Sequence, residues 1–156
     1  MLNNEIVFDF VYIITNRPEK NQKNETAVLD LEFESEFTIQ INDSSWFKEE
    51  LFFILEFVYQ LNCWLKKRYI KNFFILTEKL NTQKINDFEY FSMEEENDDI
   101  PVITFKNVNN GFLVYSPYQL YQENKIIPYE VVFQTCESFL STFKTEELDK
   151  YGILLQ

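Results

Sequence analysis

The densest chemistry in this chain is the run Glu94-Glu95-Glu96-Asn97-Asp98-Asp99, five carboxylates in six positions. Side-chain oxygens at that density suit a hard cation or the lysines and arginines of a basic partner. The D-x-D-x-D-G spacing of a calcium loop and its turn glycine are both absent, so no metal is assigned to the run. A solvated loop tip is the plain alternative. A second candidate is the tyrosine-dense connection holding Tyr115, Tyr118, Tyr121 and Tyr129 with Pro117 and Pro128. Tyrosine joins a large apolar face to a polar tip and is enriched in interface cores. It serves equally well to cover the open end of a sheet–helix core.

The chain contains no histidine, which removes the Ser-His-Asp triad, the Cys-His pair and every histidine metal site. Catalysis would then rest on a carboxylate pair, a lysine or a serine–lysine arrangement. No motif separates such a pair from ordinary solvated carboxylates, and two glycines in the whole chain exclude the glycine-rich phosphate loops. Ser44-Ser45 reads as a helix cap, and Ser138 falls inside a helix. Cys63 and Cys136 read as free thiols buried on helices. No catalytic residue and no cofactor are expected.

The elements that position these groups follow from apolar spacing. Ile6, Phe8, Phe10 and Tyr12 alternate with polar or smaller neighbours, as do Ala27, Leu29, Leu31 and Phe33, and then Phe37, Ile39 and Ile41. Three strands without a helix between them predict an antiparallel meander. Asp43-Ser44-Ser45 then supplies caps for a helix whose stripe is Phe47, Leu51, Ile54, Val58, Leu61 and Leu65. Glu49 and Glu50 fall in its first turn and Lys66-Lys67-Arg68 in its last, as the helix dipole favours. Residues 69–86 fit either a strand or a short helix.

Phe88 to Met93 reads as a strand leading into the acidic loop. Pro101–Lys106 and Gly111–Ser116 flank Asn107–Asn110 as a hairpin. Pro128 opens a last helix with the stripe Val132, Cys136, Phe139 and Phe143. Leu148–Leu155 fits a final turn or a terminal strand. The fold class expected is α+β over residues 1–156 as a single domain. It has an antiparallel sheet of about five or six strands with two main helices on one face.

The net charge of −12 is spread unevenly. Residues 1–45 hold nine acidic and three basic side chains, residues 87–128 eight and two, and residues 46–86 four and seven. With the helices on one sheet face, the other face gathers Asp9, Asp30, Glu32, Glu34 and Glu36. Such a face serves solubility as readily as binding. Nucleic acid and anionic membrane are disfavoured as partners. The longest apolar run, Leu51 to Leu65, is broken by Glu56, Gln60 and Asn62 and is too short to span a bilayer. The first residues lack a basic n-region and a cleavage site, so a cytoplasmic protein is expected.

Across its length the chain resembles the small acidic immunity proteins of bacterial polymorphic toxin systems. The resemblance is one of size, charge, composition and layout, carried by stretches such as FEYFSMEEENDDIPVITFKN and GFLVYSPY. It implies stoichiometric neutralisation of a cognate toxin, often a nuclease with a basic cleft. It transfers no fold and no site residues. The expected function is a non-enzymatic inhibitor. Glu94, Glu95, Glu96, Asp98 and Asp99 would steer and pair with a basic protein, and Tyr118 and Tyr121 would pack against it. The alternatives are a small-molecule-binding domain or enzyme with a pocket between sheet and helices, or an assembly subunit. Sequence sets no oligomeric state.

Overall fold

Two consecutive residues of positive φ, Asn42 (50°) and Asp43 (67°), decide the first half of the architecture. They make the tight turn of a β-hairpin, where positive φ at both central positions matches the twist of the flanking strands. The computed structural model describes residues 5–18, 33–69, 84–93 and 99–155. In it β1 (Phe8–Asn16), β2 (Glu34–Ile41) and β3 (Ser44–Phe52) form one antiparallel sheet in the order β1-β2-β3.

Residues 44–52 are thus a strand, not the first turns of a helix. The expected caps Ser44 and Ser45 pair across the sheet with Ile41 and Gln40. Two bulges explain the misleading spacing. Ser45 opposes Gln40 and Phe47 opposes Ile39, so Trp46 is an extra residue, and both Trp46 and Phe47 turn into the core. A second irregularity between Phe37 and Ser35 leaves Leu51, the expected stripe member, 59% exposed. The expected strand at 27–33 lies outside the described residues except for Phe33, which is buried.

Helix α1 (Ile54–Lys66) begins where the apolar stripe becomes continuous, with Glu56 in its first turn and Lys66 in its last. Ile54, Leu55, Phe57, Val58, Leu61, Trp64 and Leu65 are all buried. At about 100° per residue they cover about half the helix circumference. A single sheet face cannot cover so wide an arc. The remaining strands accordingly make a second sheet: β4 (Phe88–Tyr90), β5 (Ile103–Val108) and β6 (Gly111–Tyr115), in the order β4-β5-β6. Among the described residues the six strands therefore divide three and three rather than forming one sheet. Of residues 69–86, only Tyr69 and 84–86 are described, and Tyr69 and Ile85 form an isolated antiparallel bridge.

The ring of Phe57 joins the parts. It lies 5.0 Å from Phe37 and 5.7 Å from Phe52 in the first sheet, and 5.3 Å from Tyr90 in the second. Phe139 of α2 (Tyr129–Glu146) is 5.9 Å away. Pro128 sits just before α2 as its cap residue, and Val132, Cys136, Phe139 and Phe143 form the buried stripe. Cys136 is sealed in, and burial pushes its thiol well up in pKa. Cys63 is exposed on α1, so one of the two expected core cysteines faces solvent. Its place in the run lies beside Asn62, off the buried arc.

The chain closes on itself through a single 3₁₀ turn, Leu148–Tyr151, not a strand. Glu147, nearly fully buried, accepts two hydrogen bonds from Arg17, from Nε at 2.7 Å and Nη2 at 3.0 Å. The Tyr151 hydroxyl donates to the Pro18 carbonyl, and the Thr135 hydroxyl to that of Phe8. Tyr12 donates to Glu146 at 3.3 Å. Burial, followed by the charge of Glu146, pushes the Tyr12 hydroxyl up from 10.0 to about 12. The folded chain therefore holds this proton more tightly than the unfolded chain. The resulting stability is complete below pH 10 and is lost as pH rises towards 12. Thermal melts across that window should show a shallower decline for Tyr12→Phe than for the natural chain. Equal slopes would show that the hydroxyl is not what is being titrated.

Candidate partner-binding surface

Strand register brings the two sequence candidates to one end of the second sheet. Tyr90, the last residue of β4, pairs with Ile103, and Thr104 pairs with Tyr115, the last residue of β6. The connection holding the acidic run and the connection holding the tyrosines therefore both leave the sheet at the same end. Strand β3 lies along it. The ring of Phe52 is 5.6 Å from Tyr90, and the Trp46 carbonyl accepts the Leu120 N–H at 2.8 Å.

Asp99 is exposed on this end, while Glu94, Glu95, Glu96 and Asp98 lie outside the described residues. Tyr118 is exposed. A local turn presents it: the Ser116 hydroxyl accepts the Tyr118 N–H at 3.0 Å, and the Gln119 N–H donates back to the Ser116 carbonyl. Tyr121 is half-buried against the core, and burial, with Glu123 beside it, pushes its hydroxyl pKa up. Residues 87–105 carry seven carboxylates and no lysine or arginine.

Apolar side chains that composition did not single out share this end. Met93 is 70% exposed, and Ile100, Leu120 and Leu51 are each more than half exposed. Exposed apolar groups ringed by charge are characteristic of surfaces that meet another macromolecule. Glu49 and Glu50, expected in a helix, belong to β3, and Glu49 lies beside Leu51, Tyr90 and Ser92 there.

Glu56 and Gln60, the polar interruptions in the apolar run, grip the segment that leads to the acidic loop. Gln60 donates to the Phe91 carbonyl at 2.7 Å and accepts the Phe91 N–H at 2.9 Å. Glu56, 5% exposed, accepts the Tyr90 and Ser92 hydroxyls on one oxygen, at 3.2 and 3.3 Å. Their i, i+4 spacing inside an apolar stripe was the sequence signal for this role. Beside them is a cleft of about 240 Å³ between β3 and β4, lined by Glu49, Leu51, Phe52, Tyr90, Ser92 and Val102 among others.

Elsewhere, Asp9, Glu34 and Glu36 lie on the outer face of the first sheet as expected. They are interleaved with exposed Val7, Val11 and Ile13; Asp30 and Glu32 are outside the described residues. A polar groove of about 310 Å³ runs between β1 and α2, lined by Asp9, Tyr12, Gln134, Thr135, Ser138 and Thr142 among others. Among the described residues no three Cys, Asp or Glu side chains converge to hold a metal, and no helix is long and apolar enough to cross a membrane.

No curated protein and no solved structure matches this chain. A family model does match, over residues 7–149, which takes in both sheets and both helices. The chain therefore belongs to that family, described as a domain of unknown function (DUF7878).

Proposed function

We propose that this protein is a non-enzymatic immunity protein that neutralises a cognate bacterial toxin in the cytoplasm by covering a basic, nuclease-like surface. The observation that carries this reading is the convergence of the acidic and tyrosine connections on one sheet end, among exposed apolar side chains. Carboxylates there would steer the encounter and select a basic partner, while Tyr118 and its apolar neighbours would supply the buried contacts. Tyr121, half-buried already, would brace them.

The test starts with affinity capture of the tagged chain from native lysate under stepwise salt elution. The captured basic protein, at near 1:1 stoichiometry, should arrest growth when expressed alone and be relieved by co-expression with this chain. Absence of such relief would overturn the reading. Replacing Glu94, Glu95, Glu96, Asp98 and Asp99 by their amides should slow association about tenfold at low salt and flatten its salt dependence. Unchanged kinetics would remove the loop from the interface. A small-molecule-binding domain is the second reading, and the polar groove between β1 and α2 is its site. A reproducible thermal shift with a metabolite would favour it.

A further inference from the structure

A carboxylate taken out of water is costly unless a cation pairs with it. Glu56 is almost completely buried, and its hydrogen-bond partners are two neutral hydroxyls, both on Oε2. Among the described residues no lysine or arginine forms an ion pair with it. Tyr90 and Ser92, which hold it, are also part of the wall of the 240 Å³ cleft, and Glu49 adds a second carboxylate to that wall. Among the described residues that line the cleft, none is basic.

The other described walls are Leu51, Phe52, Phe53 and Val102, suited to a hydrocarbon stem, with aromatic faces for a cation. The volume falls short of the roughly 300–1,000 Å³ of small-molecule sites. It matches one long side chain better than a metabolite.

We propose that the cleft between β3 and β4 receives a single lysine or arginine side chain of the partner, its stem against Phe52 and Val102 and its charge towards Glu49 and Glu56. The inference takes its partner from the toxin-neutralising reading and rests on it for that alone; the recognition chemistry belongs to the cleft. A tether between α1 and β4 would need only an acceptor at position 56, which a glutamine supplies. A cation receptor needs the negative charge.

The experiment uses the purified chain without any partner. Amide chemical shifts are followed by NMR during titration with n-butylammonium and n-propylguanidinium chloride, with n-butanol and sodium chloride as controls. Saturating shifts centred on Tyr90, Ser92 and Val102 are expected, with affinity on the order of millimolar for so small a probe. Glu56→Gln should weaken binding about tenfold or more, since it removes the negative charge directly behind the Tyr90 and Ser92 wall. If Glu56→Gln does not fold, Glu49→Gln decides, with a loss in the same direction. Shifts scattered over the acidic surface, equal binding by n-butanol, or equal binding by the folded variants would overturn the proposal. None of these results depends on a toxin. A failed titration therefore leaves the toxin reading standing, and a failed capture leaves the cleft's chemistry intact.

Discussion

Replacing Phe57 with alanine should cost about 3–5 kcal/mol, the range for emptying a fully buried phenylalanine site. The ring has no exposed surface and is in contact range of Phe37, Phe52, Tyr90 and Phe139 at once. Those four belong to two sheets and a second helix, so the site cannot collapse without moving all three. The loss approaches the whole stability of an ordinary domain, about 5–15 kcal/mol. Urea unfolding of Phe57→Ala, read by tryptophan fluorescence and far-UV circular dichroism, should show one transition at a much lower midpoint. Separate transitions from the two probes, or a loss under about 1 kcal/mol, would mean that the sheets do not share this ring as a common support.

The second large effect concerns one of two glycines. A Cβ on Gly111 would lie 2.3 Å from the carbonyl oxygen of Ile127 and 2.9 Å from its carbon. Those atoms belong to a backbone bridge in which Phe112 and Ile127 exchange two hydrogen bonds of 2.8 Å. Neither side can yield without breaking it. Gly111→Ala should therefore cost at the top of, or beyond, the ~1–3 kcal/mol of ordinary overpacking. Gly152 supplies the contrast. Its φ is +65°, but nothing lies within 4 Å of a Cβ there, so alanine faces conformational strain alone, about 1–2 kcal/mol. Thermal unfolding of the two variants should rank them in that order; the reverse order would show that close approach is not what Gly111 provides. Because Ile127 anchors the far end of the tyrosine connection, Gly111→Ala should also disturb the surface to which we assign a partner.

Much of this was legible from spacing. The alternation of Phe8, Phe10 and Tyr12 marks β1, the Asn-Asn-Gly end marks the β5–β6 turn, and the Val132–Phe143 stripe marks α2. Asp43-Ser44-Ser45 misled because the side chains that cap helices also occupy tight turns. Asn42 and Asp43 took the left-handed conformation instead, and two bulges gave β3 a helix-like apolar spacing. Division of the strands into two sheets was not legible, since a period of two gives a strand its faces but not its neighbours. At the candidate surface, composition marks the carboxylates and tyrosines. The exposure of Leu51, Met93, Ile100 and Leu120 is set by tertiary packing, which no local pattern encodes.

The clasp between the two ends of the described chain has a consequence for synthesis. Arg17 meets Glu147, Tyr12 meets Glu146 and Pro18 meets Tyr151 across 130 to 134 residues. At about 5–20 residues per second, translation separates these partners by on the order of ten seconds. Through that interval β1 waits on the ribosome without the helix that covers Phe10 and Tyr12 on its inner face, while Val11 and Ile13, with Val7 just before the strand, line the outer one. The acidic charge interleaved with them, Asp9 on the same strand and Glu34 and Glu36 on the next, guards a nascent strand edge against other chains while the rest of the fold is still being made.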